Sequence, residues 1–259
     1  MRSISHPSNH DQVRCEQIDI AQQFLNIHVT PIPLLYGQKQ PAIPEWPKLT
    51  RQDVEARLQE LFGKPCNIGV LLGTSSDGLI DIDLDCDEAV RAAPLLLPPT
   101  GMVWGRPSQG KRTHYGYRVD APPAKASIPF IAPDGKRLLE IRSTGGQTLV
   151  WGKYPEGEEV GGSPLGEPAR LAWRELEKAV RQLTAAVLLA GHWREECRHE
   201  LALAVSGGLL LAGWAAEGME QFLLCGKPID GLGENWGIFS HGKNQRATDC
   251  DPYGLWLLV

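Results

Sequence analysis

Apolar and acidic residues alternate without a break from Ile80 to Asp85, after Leu79. A period of two is the signature of a strand with two unlike faces. Ile80, Ile82 and Leu84 fall on one face; Leu79, Asp81, Asp83 and Asp85 fall on the other. The segment is bounded by Gly73-Thr74-Ser75-Ser76-Asp77-Gly78, a turn-rich stretch, and by a helix expected from about Asp87 to Leu97 and stopped by Pro98-Pro99.

The same reading along the chain gives a short helix from Gln17 to Ile27, after a polar tail. An extended path follows, forced by Pro31, Pro33, Pro41, Pro44 and Pro47. Thr50 to Phe62 reads as a helix that Thr50 caps, with Asp53 three residues on. Asn67 to Gly73 reads as a strand that forms a hairpin with the acidic one. Further strands are expected at Met102 to Gly105, Arg112 to Val119, Leu138 to Arg142 and Gln147 to Trp151. The last two flank Ser143-Thr144-Gly145-Gly146 and are expected to form a second hairpin. Residues 152–167 read as a Gly-, Pro- and Glu-rich loop. From Ala169 the pattern becomes Leu/Ala-rich and helical, over Ala169 to Ala190, Cys197 to Glu217 and Met219 to Cys225.

Composition adds bounds. The chain has 259 residues, 42% hydrophobic and 22% charged, ordinary values for a globular protein. A net charge of −5 gives no overall basic field for a polyanion, so nucleic acid would need a local cationic groove. The six cysteines are scattered without a CxxC pair, which argues against a zinc finger and a disulfide framework and for reduced thiols in a cytoplasm. The N-terminus lacks the apolar core of a secretory signal. The longest apolar run, Leu201 to Ala216, is interrupted by Ser206, Gly207, Gly208 and Gly213 and is too short to span a membrane.

The acidic row is the strongest candidate for chemistry. Carboxylates on one face of a strand sit roughly 6.6–7 Å apart at Cα, and like charges at that spacing call for a cation. An acidic strand face is commonly just solvated, but this one holds no Lys, Arg or Thr to dilute it. Asp81 and Asp83 are the favoured members, since Asp85 also suits the cap of the following helix. Gly105, Gly110 and Lys111 imitate a phosphate-binding P-loop, but Arg112 stands where Ser or Thr is required and a strand follows instead of a helix. What remains is a cationic loop (Arg106, Lys111, Arg112) leading into a strand that carries His114. Glu140, set between apolar residues on its own strand, is a third carboxylate that strand pairing can bring to the aspartates.

The order of these pieces resembles the bifunctional primase–polymerase family of the archaeo-eukaryotic primase superfamily, in its phage and plasmid form. Asp81-Ile82-Asp83 matches its first motif, Ser108 with His114 its second, and Glu140-Ile141-Arg142 its third. Lys39-x-Pro41, Trp46 and Asn67-Ile68-Gly69-Val70 match the upstream pattern, and the helical segment around His192-Trp193 and Arg198 to Ala204 resembles the region that follows. Leu149 to Pro155 departs from the Pro-Pro-Ser-type segment of the family, and the last thirty residues match nothing in it.

The resemblance implies an α+β fold, with an antiparallel sheet similar to an RNA-recognition motif followed by a small helical bundle. The expected domains are a disordered tail at 1–20, a catalytic domain at 21–168, a helical domain at 169–228 and an irregular C-terminal tail at 229–259. The implied activity is primer synthesis and extension on single-stranded DNA from NTPs or dNTPs. Asp81, Asp83 and Glu140 would hold two Mg²⁺ or Mn²⁺ ions. His114, Ser108, Lys111 and Arg142 would bind the nucleotide. A replicative helicase is expected as a separate protein, and a shortened, non-catalytic single-strand-binding accessory module is the alternative.

Overall fold

The computed structural model describes residues 9–193 and 195–225. The expected irregular tail at 229–259 lies outside the described residues. Elements are numbered in chain order. Helix α1 (Asn9–Asn26) replaces most of the expected N-terminal tail from residue 9 on. It buries Gln17, Ala21, Phe24 and Leu25, the spacing of one helical face. Strand β1 (Pro31–Leu34) follows. Helices α2 (Arg51–Ala56) and α3 (Leu58–Phe62) divide the expected Thr50–Phe62 helix at Arg57. Thr50 caps α2 as the sequence indicates: its hydroxyl accepts from the Asp53 N–H, while the Asp53 carboxylate accepts from the Thr50 N–H.

Two sheets organise what remains. The smaller has the order β1-β2-β8, with β2 at Asn67–Leu71 and β8 at Gln147–Trp151, all antiparallel. The larger runs β6-β7-β3-β5-β4-β9: Ser127–Ile131, Arg137–Arg142, Leu79–Leu84, His114–Val119, Val103–Gly105 and Gly161–Ser163. These pairs are antiparallel as well. β10 (Ala169–Leu171) runs parallel to β5 beyond the stretch that β4 occupies. The fold is α+β, as expected.

Neither expected hairpin forms. β2 belongs to the small sheet and β3 to the large one, and β7 and β8 are divided in the same way. The turns are present, but each carries the chain across from one sheet to the other. The two crossings lie side by side, with the Leu72 N–H donating to Gly146 O at 3.1 Å. Gly73 has φ +69°, and a Cβ there would stand 2.4 Å from Thr144 Cα, so only glycine fits the crossing. β6 escapes the sequence reading because Pro129 interrupts it, and proline is tolerated there on the sheet's edge.

Strand alternation separates two cores. Ile80, Ile82, Tyr115, Tyr117, Leu139 and Ile141 pack against α4 (Asp87–Leu96) and α5 (Trp173–Ala190). α5 meets them with Leu176, Val180, Leu183 and Val187. The helix expected to open a separate module therefore shares the core behind the acidic strand. On the other face Leu79, Met102 and Trp104 pack under the small sheet and α1–α3. Two shorter helices, α6 (Arg198–Leu211) and α7 (Ala216–Cys225), follow α5. Cys66 is buried, and desolvation pushes its thiol up to about 12, which keeps it an inert thiol. Among the described residues no helix is long and apolar enough to cross a membrane.

Candidate active site

The acidic face of β3 emerges from beneath the small sheet. Leu79 is sealed in the inter-sheet core, Asp81 is fully buried, Asp83 is 7% exposed and Asp85 is open to solvent. Strand register sets the neighbours. Asp83 stands opposite His114 on β5 and opposite Glu140 on β7, and Asp81 stands opposite Arg142. Residues directly opposite on one face of a sheet are in contact range. Glu140 thus lies on the same side as the aspartates, brought there by β7 pairing directly with β3.

One oxygen from each of Asp83, Asp85 and Glu140 lies within 4.8 Å of the others. This is a cluster of hard oxygen donors of the kind that Mg²⁺ or Mn²⁺ takes. The structure exchanges one member of the expected trio. Asp85 joins Asp83 and Glu140, while Asp81 sits one pair deeper and faces a histidine. The reason is the covering sheet, which reaches over the Asp81 end of the row and leaves the Asp85 end free.

The charges explain how four carboxylates coexist here. His114 Nδ1–H donates to both oxygens of Asp81, at 3.2 and 3.1 Å, and lies 3.3 Å from Asp83 Oδ1. Its ring stacks on Trp104 at 5.1 Å between centroids and 9° between planes. Trp104 Nε1–H in turn donates to Leu149 O at 2.9 Å, which ties the stack to β8. Burial disfavours the imidazolium, but Asp83 and Asp81 outweigh it and raise the His114 pKa. Burial likewise acts against the Asp81 carboxylate, and His114 and Arg142 outweigh that and hold it below the usual range. Arg142 pairs with Asp83, and its Nε–H donates to Glu140 Oε2 at 3.1 Å. Burial opposes its charge as well, but Asp83, Asp81 and Glu140 raise its pKa. Glu140 also accepts from the Ser127 hydroxyl and from Arg137 Nη1 at 3.3 Å. Asp85 has weaker support, with Arg137 Nε 4.0 Å from its Oδ2. Desolvation first, and Asp83 second, push its carboxyl up to about 6.

The other expected nucleotide ligands are elsewhere. Ser108 donates from its N–H and its hydroxyl to Glu158, at 2.6 and 3.0 Å. Lys111 lies along Gly161 of β9. Neither touches the acidic group. Lys39, which the sequence reading left without a site role, and Arg106 of the cationic loop come close instead. Lys39 feels the field of Asp83 and Arg142, and Arg106 is near enough to Lys39 to disfavour its charge. Both lie against the Tyr154 ring. Lys39 was visible only as part of an upstream pattern, and its reach to Asp83 depends on contacts far along the chain.

A family model described as bifunctional DNA primase/polymerase, N-terminal, matches residues 20–172, which is more than half of the chain and runs from α1 to the start of α5. No curated protein matches it.

Proposed function

The chain belongs to the bifunctional DNA primase/polymerase family, and from that premise we propose that it joins nucleotides on a single-stranded DNA template, making primers and extending them. The observation that carries this reading is the register that sets Glu140 opposite Asp83, with Asp85 completing the oxygen cluster. Asp83, Asp85 and Glu140 would hold Mg²⁺ or Mn²⁺, as a pair of ions in the family's manner. Such ions supply a more acidic attacking 3′-hydroxyl and neutralise the charge of the departing pyrophosphate.

The chain's own residues prepare that chemistry. Asp81 and Trp104 fix the ring of His114, so an imidazole whose charged form the neighbouring aspartates favour stands beside the acids for phosphate oxygens. Asp81 acts in this reading as the orienting carboxylate, a different role from the one its place in the row suggested. Arg142 bridges Asp83 and Glu140 and provides a second cation that phosphate can share. The small sheet covers one end of the row, so substrate approaches from the Asp85 end.

A primer-synthesis assay tests the proposal with labelled nucleotide, Mn²⁺ and an unprimed single-stranded template. The wild-type chain forms extended products, and Asp83→Ala forms none while remaining folded by circular dichroism. Full activity in Asp83→Ala overturns the assigned site. Template binding by the wild-type chain without any product makes it a replication accessory module instead of an enzyme.

A further inference from the structure

Beside the acid row, three distant segments meet around one aromatic ring. Tyr154, 1% exposed, carries the Lys39 Nζ at 5.2 Å and the Arg106 guanidinium carbon at 4.2 Å from its ring centroid. Two cations so close repel each other, and the negative face of an aromatic ring offsets part of that repulsion, by roughly 0.5–2 kcal/mol per contact. Arg106 Nη1 also pairs with Glu156 at 2.9 Å, an exposed carboxylate at the rim. The Tyr154 hydroxyl is buried and has no hydrogen-bond partner among the described residues.

The placement of this group is set from below by Asn67, which is fully buried at the start of β2. Its amide Nδ2 donates to Gln38 O at 2.9 Å and to Lys153 O at 2.6 Å, and its Oδ1 accepts from the Lys153 N–H at 3.1 Å. One side chain therefore holds the residue before Lys39 and the residue before Tyr154. Gln147 Nε2 donates to Lys39 O at 2.9 Å and closes the other side of that turn. Gly152, at φ +107°, leaves the room that Asn67 uses: a Cβ there would stand 2.2 Å from Asn67 Oδ1. An asparagine that spends its whole amide on two loop backbones fixes where those loops present their side chains.

We propose that Lys39 and Arg106, spaced by Tyr154, form a clamp for an oligophosphate beside the metal-binding acids, and that Asn67 is the positioning residue that sets the clamp. The proposal rests on the nucleotidyl-transfer reading only for the identity of the ligand, the triphosphate of the incoming nucleotide. The clamp explains why two cations and a buried phenol are gathered next to four carboxylates. It also supplies the anion site that Ser108 and Lys111, turned toward Glu158 and Gly161, do not. Burial weakens the hold of Lys39 on its proton while Asp83 strengthens it; an anionic ligand acts in the same sense as Asp83.

The test uses the full chain and inorganic tripolyphosphate, by calorimetry, together with steady-state incorporation kinetics. Wild type binds tripolyphosphate without template. Lys39→Ala and Arg106→Ala each weaken binding about tenfold, the loss of one charge-assisted contact. Asn67→Ala raises the nucleotide KM about tenfold with kcat held within about twofold. Combining Asn67→Ala with Lys39→Ala adds little to Lys39→Ala alone, because both act through one group. If Asn67→Ala does not fold, Gln147→Ala takes its place, releasing only the Lys39 carbonyl, with a KM rise of about threefold. Unchanged tripolyphosphate binding in Lys39→Ala overturns the clamp, and an unchanged KM in both Asn67→Ala and Gln147→Ala overturns the positioning role. Tripolyphosphate binding that depends on Lys39 and Asn67, in a chain that makes no product, leaves the clamp standing while the polymerase reading falls.

Discussion

The two faces of β3, β5 and β7 are built from the same strands in the same register, yet they solve opposite problems. Toward α4 and α5 the strands present Ile80, Ile82, Tyr115, Tyr117, Leu139 and Ile141, a continuous apolar surface. Toward the small sheet they present Asp81, Asp83, His114, Glu140 and Arg142, each directly adjacent in sequence to a residue of the apolar face. The apolar face stabilises the fold by removing surface from water. The polar face holds ionised groups where water is scarce, at a cost that pairing only partly offsets. A single step in sequence therefore separates residues whose loss is expected to unfold the chain from residues whose loss is expected to silence the proposed activity.

Adjacent substitutions on β7 put this contrast to its strongest test. Glu140→Gln is expected to lower nucleotide incorporation by about a thousandfold, roughly 4 kcal/mol of barrier, with the melting temperature almost unmoved. Its neighbour Ile141→Ala is expected to cost about 3 kcal/mol of stability, a fall of roughly 6–12 °C in Tm, while the folded fraction keeps its specific activity. The contrast breaks if thermal melts and incorporation rates show both variants losing stability alike. His114→Ala should raise the nucleotide KM about tenfold and change template affinity little, as gel-shift titration would show.

Acidity sharpens the comparison further. The folded chain holds the Asp85 proton up to about 6, whereas an unfolded aspartate releases it near 3.9. The native state therefore binds more protons in that window, and stability falls as pH rises through it. His114, raised in the folded state, contributes stability that is present below about 6.5 and lost as pH rises through its folded value. Metal-free melts from pH 4 to 8 should show this decline, and millimolar Mn²⁺ should reverse it most at the alkaline end. Ile141→Ala should keep the same slope, since it touches no ionising group. The smallest effect is expected away from both faces: Thr50→Ala removes a helix cap for about 1 kcal/mol and leaves incorporation at the wild-type rate.

Much of this is legible in the sequence. Strict alternation over Ile80 to Asp85 assigns both faces of β3, and the Thr50–Asp53 pair marks the start of α2, because these signals are local. The pairing of Asp83 with Glu140 was open to inference because each stands alone among apolar residues. Asp85 was ranked below Asp81 because a row of acids carries no mark of which end is covered; the small sheet decides that, and its strands lie far away in sequence. The turns at residues 73–78 and 143–146 were visible as turns, but turn chemistry does not say which sheet the next strand joins. Lys39 and Tyr154 were hidden for the same reason, since Asn67 reaches 86 residues along the chain to Lys153 to gather them.

The paired crossings at Gly73 and Thr144 have one more implication. These two passages of the backbone between floor and roof share one seam, where a methyl group has no place. The headroom above the carboxylates is accordingly decided some distance from them, by how closely two loops can nest. A bulkier residue at position 73 would lift the roof without altering any charged group, and would show how much of the site's selectivity is architecture and how much is chemistry.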